Sequence, residues 1–329
     1  MYAWQCDEPT GVTGLRWTES PTPAPGAGEA CVSIRAASLN FPDLLVVQGK
    51  YQFKPTPPFV PGAEFAGVVE ALGEGVTDLT IGQSVMSVAV TGAFATHACV
   101  PAARLVPMPP AMPFEDAAAF LMAYGTSHHA LVDRAELKAG ETVLVLGAAG
   151  GVGTAAVQIA KAVGARVIAA VSTDEKVELC RSIGADDAIN YSKSALRDAL
   201  KALTGGRGPD VIYDPVGGNV AEPAFRSIAW RGRYLVVGFA QGEIPNLPLN
   251  LPLLKGASIV GVFWGDFARR EPQSFGRSLA ELAAWYSAGR VKPVLDRILP
   301  MSRLAEAFAR MATRQALGKI VLVNQSAGA

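Results

Sequence analysis

The chain has 329 residues, half of them hydrophobic and 18% charged, and its 29 basic and 29 acidic side chains cancel to a formal net charge of zero. That length exceeds one ordinary core and suits two domains, and a balanced charge gives no field to draw nucleic acid or an anionic lipid surface. No apolar run reaches the roughly 18 residues needed to span a bilayer, no basic-then-apolar leader opens the chain, and Cys6, Cys31, Cys99 and Cys180 form no CxxC pair, so the expectation is a cytoplasmic protein with free thiols and no membrane or nucleic-acid partner.

In chain order, Ala30–Ala36, Glu64–Leu72 and Ser84–Val90 read as short strands among Gly- and Pro-rich turns, an irregular β-barrel pattern. Phe114–Leu131 carries apolar residues at helical spacing. From Glu141 strands and helices alternate at βαβ lengths: strand Thr142–Leu146, a helix with Val152, Ala156, Ile159 and Val163 on one face and Gly164 as its stop, strand Arg166–Val171, helix Asp174–Ile183, then strands Val211–Tyr213, Tyr234–Val237 and Ile259–Phe263. Helices Ser274–Ser287 and Leu304–Met311 and a last strand Lys319–Val323 follow. The fold class is therefore α/β: a β-rich substrate domain over residues 1–122, a doubly wound parallel sheet over 123–265, and a tail, 266–329, that folds back onto the first domain.

The segment after Leu146 is Gly147-Ala148-Ala149-Gly150-Gly151-Val152-Gly153. Between a strand and a helix, with a second strand ending about 20 residues on, it is a dinucleotide loop. Gly150 lets a pyrophosphate approach the backbone, Gly153 lets the helix pack close, and Ala149, Gly150, Gly151 and Val152 are the expected contacts. The second strand decides between cofactors. A carboxylate at its end binds the ribose 2′-hydroxyl of NAD and repels a 2′-phosphate. Here the strand ends at Ser172. Ser172 and Glu175 have capping-box spacing, and Asp174 suits the first turn of a helix. Lys176 gains nothing from that dipole. A 2′-phosphate held between Ser172 and Lys176 accounts for it, so NADPH is the expected cofactor. A solvated lysine is the alternative, and Asp174 taken as the ribose carboxylate would favour NAD instead.

These residues carry a family resemblance. Ala36-Ala37-Ser38-Leu39-Asn40-Phe41-Pro42-Asp43, Pro61-Gly62-Ala63-Glu64-Phe65-Ala66-Gly67, the loop Gly147–Gly153 and Asp214-Pro215-Val216-Gly217-Gly218 together resemble the zinc-independent quinone oxidoreductases of the medium-chain dehydrogenase/reductase superfamily. The resemblance implies a GroES-like substrate domain beside a Rossmann domain. Zinc-containing relatives place a cysteine and a histidine ligand where this chain has Asn40 and Ala63, neither a good zinc ligand, and His97, His128 and His129 lack ligand partners at suitable spacing. No metal is therefore expected.

The resemblance places Asn40 and Tyr51 toward the nicotinamide, Asn40 as a donor to the substrate carbonyl or cofactor ribose and Tyr51 as a donor to a developing enolate or phenolate. Local chemistry alone offers an Asx turn for Asn40 and packing for Tyr51. Relatives add Thr126 near the nicotinamide, Tyr191 at the adenosine end, and Gly238-Phe239-Ala240 and Phe263-Trp264-Gly265 around the nicotinamide, with sheet core as the other reading of Phe263 and Trp264. Without zinc the substrate must already accept hydride well. The implied function is an NADPH-dependent reductase of a quinone or a carbonyl-activated alkene. An enoyl-thioester (acryloyl-CoA-like) reductase and a non-catalytic NADPH-binding regulatory protein are the alternatives. Ile259–Phe263 reads as an apolar edge strand that relatives pair across a two-fold axis, so a homodimer is expected.

Overall fold

The computed structural model describes residues 1–324. Two units divide the chain: residues 1–122 with the chain from Leu295 onward, and Ala123–Val294. The first unit begins with β1 (Tyr2–Cys6), β2 (Leu15–Glu19), β3 (Glu29–Ser38), β4 (Glu64–Leu72), β5 (Ser84–Val88), β6 (His97–Pro101) and β7 (Leu105–Pro107). The second contains β8 (Thr142–Leu146), β9 (Arg166–Val171), β10 (Asp187–Asn190), β11 (Val211–Asp214), β12 (Arg233–Val236) and β13 (Ser258–Gly261). The first unit is completed by β14 (Leu295–Pro300) and β15 (Lys319–Val323).

In the first unit β1 and β2 form a hairpin, and the main sheet runs β14-β15-β3-β4-β5-β7 with β6 also on β3. β3 is buried along most of its length, and its pairing with β4 slips twice, between Cys31 and Val32 and between Ile34 and Ala36. Such bulges bend and coil a sheet. They bring the strands close enough at Gly67 that a Cβ there would stand 2.2 Å from the Ser33 carbonyl oxygen. The core joins Val32, Ile34, Phe65, Val85 and Phe94 to Leu304, Phe308, Ile320 and Leu322 from the end of the chain.

The second unit is a six-stranded parallel sheet in the order β10-β9-β8-β11-β12-β13. All of β8 is buried, which is why it reads as an unbroken apolar run. The helix Gly151–Val163 buries Gly153–Val157, Ile159 and Ala160, a broader face than the periodicity marks, while Val152 and Val163 are half-buried; it stops at Gly164 in the left-handed region.

Two expectations need correction. Phe114–Leu131 is not one helix: it forms Phe114–Ala118, Leu121–His128 and a wider π-turn over His129–Arg134. The break has a local cause, since the Met122 N–H is taken by the Glu64 carboxylate at 2.8 Å. Nor does the whole tail from 266 return to the first unit. Residues 266–294 group with the second, and the return starts at Leu295. The helix Pro272–Ser287 is held there by side chains: His128 bonds Glu281 and Ser278, each at 2.9 Å, and Gln158 clasps Lys292 through both its amide N–H and its carbonyl. Residues 325–329, the end of the expected tail, lie outside the described residues.

Phe308 is fully buried and meets Phe94 edge to face at 6.0 Å. Phe308→Ala should cost about 3–5 kcal/mol of stability, measured by urea unfolding. A loss below ~1 kcal/mol would show that the C-terminal return is no part of that core.

Candidate functional site

The chain leaves β8 through Gly147, whose φ is 59° and where a Cβ would press on Val216 at 2.8 Å. Gly150 donates its N–H to the Gly147 carbonyl at 3.0 Å, and the first intrahelical bond runs from Thr154 N–H to the Gly150 carbonyl at 2.8 Å. The amides of Gly151, Val152 and Gly153 come before that bond and lack an intrahelical acceptor. A Cβ on Gly153 would stand 2.2 Å from the Gly147 oxygen, so only glycine lets the helix start this close to the strand. Gly150 is different. Its Cβ position meets only Gly147 O, at 3.4 Å, so the protein interior does not require glycine there. Three amides at a helix N-terminus, with no side chain on Gly150 or Gly151, fit a pyrophosphate. Ser127 anchors the arrangement, donating to the Val152 carbonyl at 2.9 Å with Tyr213 Oη 2.9 Å away.

The expected cofactor residues of the second unit, Thr126 apart, follow the carboxyl ends of parallel strands. The loop 147–150 follows β8, Ser172 and Lys176 follow β9, Tyr191 follows β10, Gly238–Ala240 follow β12, and Phe263–Gly265 follow β13. Strand order reverses between β8 and β11, and that crevice is where open α/β sheets bind ligands. Thr126 is half-buried in the helix Leu121–His128, and the hydroxyl of nearby Tyr124 is committed to Gln158 at 2.8 Å.

At the end of β9 the expected capping box moves by one residue. Thr173, not Ser172, caps the helix Asp174–Ser182, its hydroxyl accepting the Lys176 N–H at 3.3 Å. Glu175 then falls one position short of reaching back, and Ser172 is released from the cap. Lys176 is half-buried. Tyr191 donates its N–H to Val171 O at 3.0 Å, and its ring packs partly buried against the sheet core. Sequence reasoning missed two neighbours, Asn190 and Lys193, which both bond the Asp174 carboxylate. Lys193 first and Asn190 second hold that carboxyl below its usual range.

After β12, Gly238 and Ala240 donate to the carbonyls of Asp214 (3.3 Å) and Pro215 (3.0 Å). Asp214 accepts the amides of Val216 and Gly217 and the Tyr234 hydroxyl. Neither Phe263 nor Trp264 is sheet core, because β13 ends at Gly261. Phe263 is 56% exposed. Trp264 is buried at the start of the helix Trp264–Arg270, flat against Gly125, where any Cβ would meet the indole at 2.7 Å.

In the first unit the turn after β3 holds a buried polar cluster. The Lys319 ammonium, 4% exposed, donates to Leu39 O at 3.0 Å, Asn40 Oδ1 at 2.6 Å and Glu64 Oε2 at 3.1 Å. Asn40 Nδ2 donates to Glu64 Oε2 at 3.0 Å, and Ser38 Oγ donates to the same oxygen at 2.9 Å. Asp43 accepts the Asn40 N–H at 2.8 Å, capping the helix Phe41–Val47. The Asn40 amide, expected to reach substrate or ribose, is thus engaged inside the unit. Tyr51 is half-buried outside this cluster, and burial first, then the charge of Asp43, pushes its phenol up. Glu64 and Lys319 are further residues the sequence reading missed. The available signal was an acid opening β4 and a lone lysine opening the apolar β15.

Zinc does not fit this cluster. Ala63 offers no ligand atom, and the Asn40 oxygen and Glu64 already bond an ammonium, so a metal ion would meet a like charge. Among the described residues no group of three or more His, Cys, Asp or Glu is placed to hold a metal. His97 lies 3.1 Å from Glu70, and His129 2.7 Å from Asp133, as separate pairs.

A coiled β unit with a buried polar turn, joined to a doubly wound sheet with a glycine-rich strand-to-helix loop at its switch point, has the architecture of the two-domain dehydrogenases and reductases. Residues 26–110 match the alcohol dehydrogenase GroES-like domain and residues 151–284 the zinc-binding dehydrogenase domain. The chain is 38% identical over 300 residues to quinone oxidoreductase-like protein 2 homolog of Nematostella vectensis, covering 90% of this chain and 82% of that one. A probable oxidoreductase from Mycobacterium abscessus superposes with a TM-score of 0.89 at 38% identity, covering 98% of each chain. The quinone oxidoreductase of Thermus thermophilus, solved alone and with NADPH, superposes with a TM-score of 0.85 at 32% identity, covering 98% of this chain and all of that one. The chain belongs to the zinc-independent quinone oxidoreductase family of the medium-chain dehydrogenase/reductase superfamily.

Asp43 supplies a test of the buried turn. Burial raises its carboxyl to about 7, more than Asn40 N–H and Lys319 lower it. The folded state therefore binds more protons than the unfolded state between about pH 4 and 7, and stability falls as pH rises through that window. Asp43→Asn keeps an acceptor for Asn40 but cannot ionise. Urea unfolding at pH 5 and pH 7.5 should show a clear loss for wild type and a smaller one for Asp43→Asn. Equal losses would rule out a buried, titrating Asp43.

Proposed function

We propose that this chain is an NADPH-dependent reductase that transfers hydride to a quinone or a carbonyl-activated alkene without a metal. The observation that carries the reading is the glycine-rich turn and free helix N-terminal amides at Gly150–Gly153, at the switch point of a parallel sheet whose second strand is followed by Ser172 rather than a carboxylate. The NADPH complex of the Thermus thermophilus relative supports the cofactor. Bound NADPH would supply the hydride. The chain's own residues bind and orient: the amides of Gly151–Gly153 and the neighbouring Ala149 hold the pyrophosphate, and Ser172, Lys176 and Tyr191 hold the 2′-phosphate end. Thr126, Gly238–Ala240 and Phe263–Gly265 serve the nicotinamide end. Tyr51, its phenol raised, keeps its proton at neutral pH and can hold it at Oη for the oxygen of an acceptor. Asn40 acts by position, since Lys319 and Glu64 fix its amide and Asp43 fixes its N–H.

NADPH oxidation should depend on an added quinone, enone or enoyl thioester and persist with a chelator present. Lys176→Ala removes a charge-assisted contact of about 1.5–3 kcal/mol and should weaken NADPH roughly 10- to 100-fold while sparing NADH. Equal weakening of both cofactors would refute the 2′-phosphate assignment. Turnover with no member of that acceptor panel would favour the non-catalytic reading.

The same reading includes a homodimer. β13 is the outer strand of its sheet among the described residues, and Ile259 on it is exposed, as are Trp230, Leu253 and Leu254 nearby in the chain or sheet. An unpaired apolar edge invites pairing with a second copy. Light scattering at micromolar concentration should give twice the 34.3 kDa chain mass, and Ile259→Lys should give the single-chain mass. A wild-type monomer would count against the dimer.

A further inference from the structure

The cofactor reading above leaves one acid unexplained, and the inference drawn here rests on that reading. Asp174 opens the helix after β9, two residues beyond Ser172. A carboxylate at the end of the second strand should repel a 2′-phosphate. This one is not left bare. It accepts from Lys193 Nζ, and from Asn190 Nδ2 at 2.8 Å. Both partners lie where the chain leaves β10, and that segment is fastened to the end of β9: Tyr191 N–H donates to Val171 O at 3.0 Å, and Ser192 Oγ to the carbonyl of Ser172 itself at 3.0 Å. Asn190 also accepts the Ser192 N–H at 3.1 Å. The rim then carries two acids, Asp174 and Glu175, and two lysines, Lys176 and Lys193, which sum to zero. Loss of Lys193 would leave it at minus one, opposite a phosphate of about two negative charges. The Asp174–Lys193 pair is 65% and 67% exposed, so it adds little to stability. Its geometry makes sense as a correction of charge.

We propose that Lys193 is a specificity-determining residue: it neutralises Asp174, so that an acid beside the ribose 2′ position does not exclude the phosphorylated cofactor. Lys193 acts through Asp174, as a positioning and screening residue. Ser172 and Lys176 remain the ligands of the phosphate.

Calorimetric titration of NADPH and NADH at low salt, where exposed charges are least screened, would test this on wild type, Lys193→Met, Asp174→Asn and the double variant. Lys193→Met should weaken NADPH about fivefold and leave NADH within about twofold. Adding Asp174→Asn should return NADPH to within about twofold of wild type. A silent Lys193→Met would overturn the proposal. So would a double variant as weak as Lys193→Met, which would make Lys193 a phosphate ligand in its own right, or an equal loss for NADH, which would make it part of the loop's structure. Lys176→Ala in the same series separates the two levels. If it weakens both cofactors alike, the 2′-phosphate reading fails; if it is selective for NADPH while Lys193→Met is silent, only the neutralisation by Lys193 fails.

Discussion

An ammonium group removed from water must find acceptors for each of its N–H bonds, and in this protein that demand organises one whole unit. Lys319 meets it with a backbone carbonyl, an amide oxygen and a carboxylate, the first two contributed by the turn after β3 and the third by β4. A buried ion pair of this kind gains little net stability over an apolar packing, but losing one partner is costly. Its value is in geometry. With Lys319 in place, the Asn40 amide has one orientation, Glu64 has one oxygen for the cluster and the other for Met122, and β15 must lie beside β3. Even the break in the helical stretch after Pro113 follows from it, because the Glu64 carboxylate takes an amide that a continuous helix would have used.

The nucleotide unit depends on a different constraint, the approach of backbone to backbone. Gly150 and Gly153 are read from the sequence as motif glycines; the structure gives Gly153 a steric reason, gives one also to Gly147, and leaves Gly150 without one. In the site proposed above, the pyrophosphate end is made of main-chain amides, which no substitution of charge alters. The proposed 2′ end is made of side chains, half-buried at Ser172 and Lys176 and exposed at Asp174 and Lys193, where single substitutions change the local field. On that proposal, recognition of the shared part of the cofactor and discrimination of the variable part fall to different chemistries.

What was legible in the chain was local. β8, the glycine loop and the helix after it follow from apolar run length, turn residues and helical spacing over some 25 consecutive positions. What was hidden was either long-range or degenerate. Lys319 and Glu64 are 255 residues apart, and nothing in the vicinity of either announces the other. Ser172 and Thr173 are both acceptable caps, so residue preference alone does not decide which one serves; in the fold it is Thr173. The apolar stripe of Pro272–Ser287 shows that the helix has a buried face, but the choice of unit depends on His128 and Gln158, more than a hundred residues earlier.

The first unit is assembled from both ends of the chain, and this sets an order of events during synthesis. The nucleotide unit is one continuous stretch, Ala123–Val294, and can complete its sheet while the rest is still being made. The first unit cannot. Until β15 leaves the ribosome, Glu64 has no ammonium, β3 lacks a neighbour and Phe94 lacks Phe308. The early strands of the first unit are therefore among the last parts of it to be locked, and during synthesis of the second unit they form an open, partly apolar sheet awaiting β15.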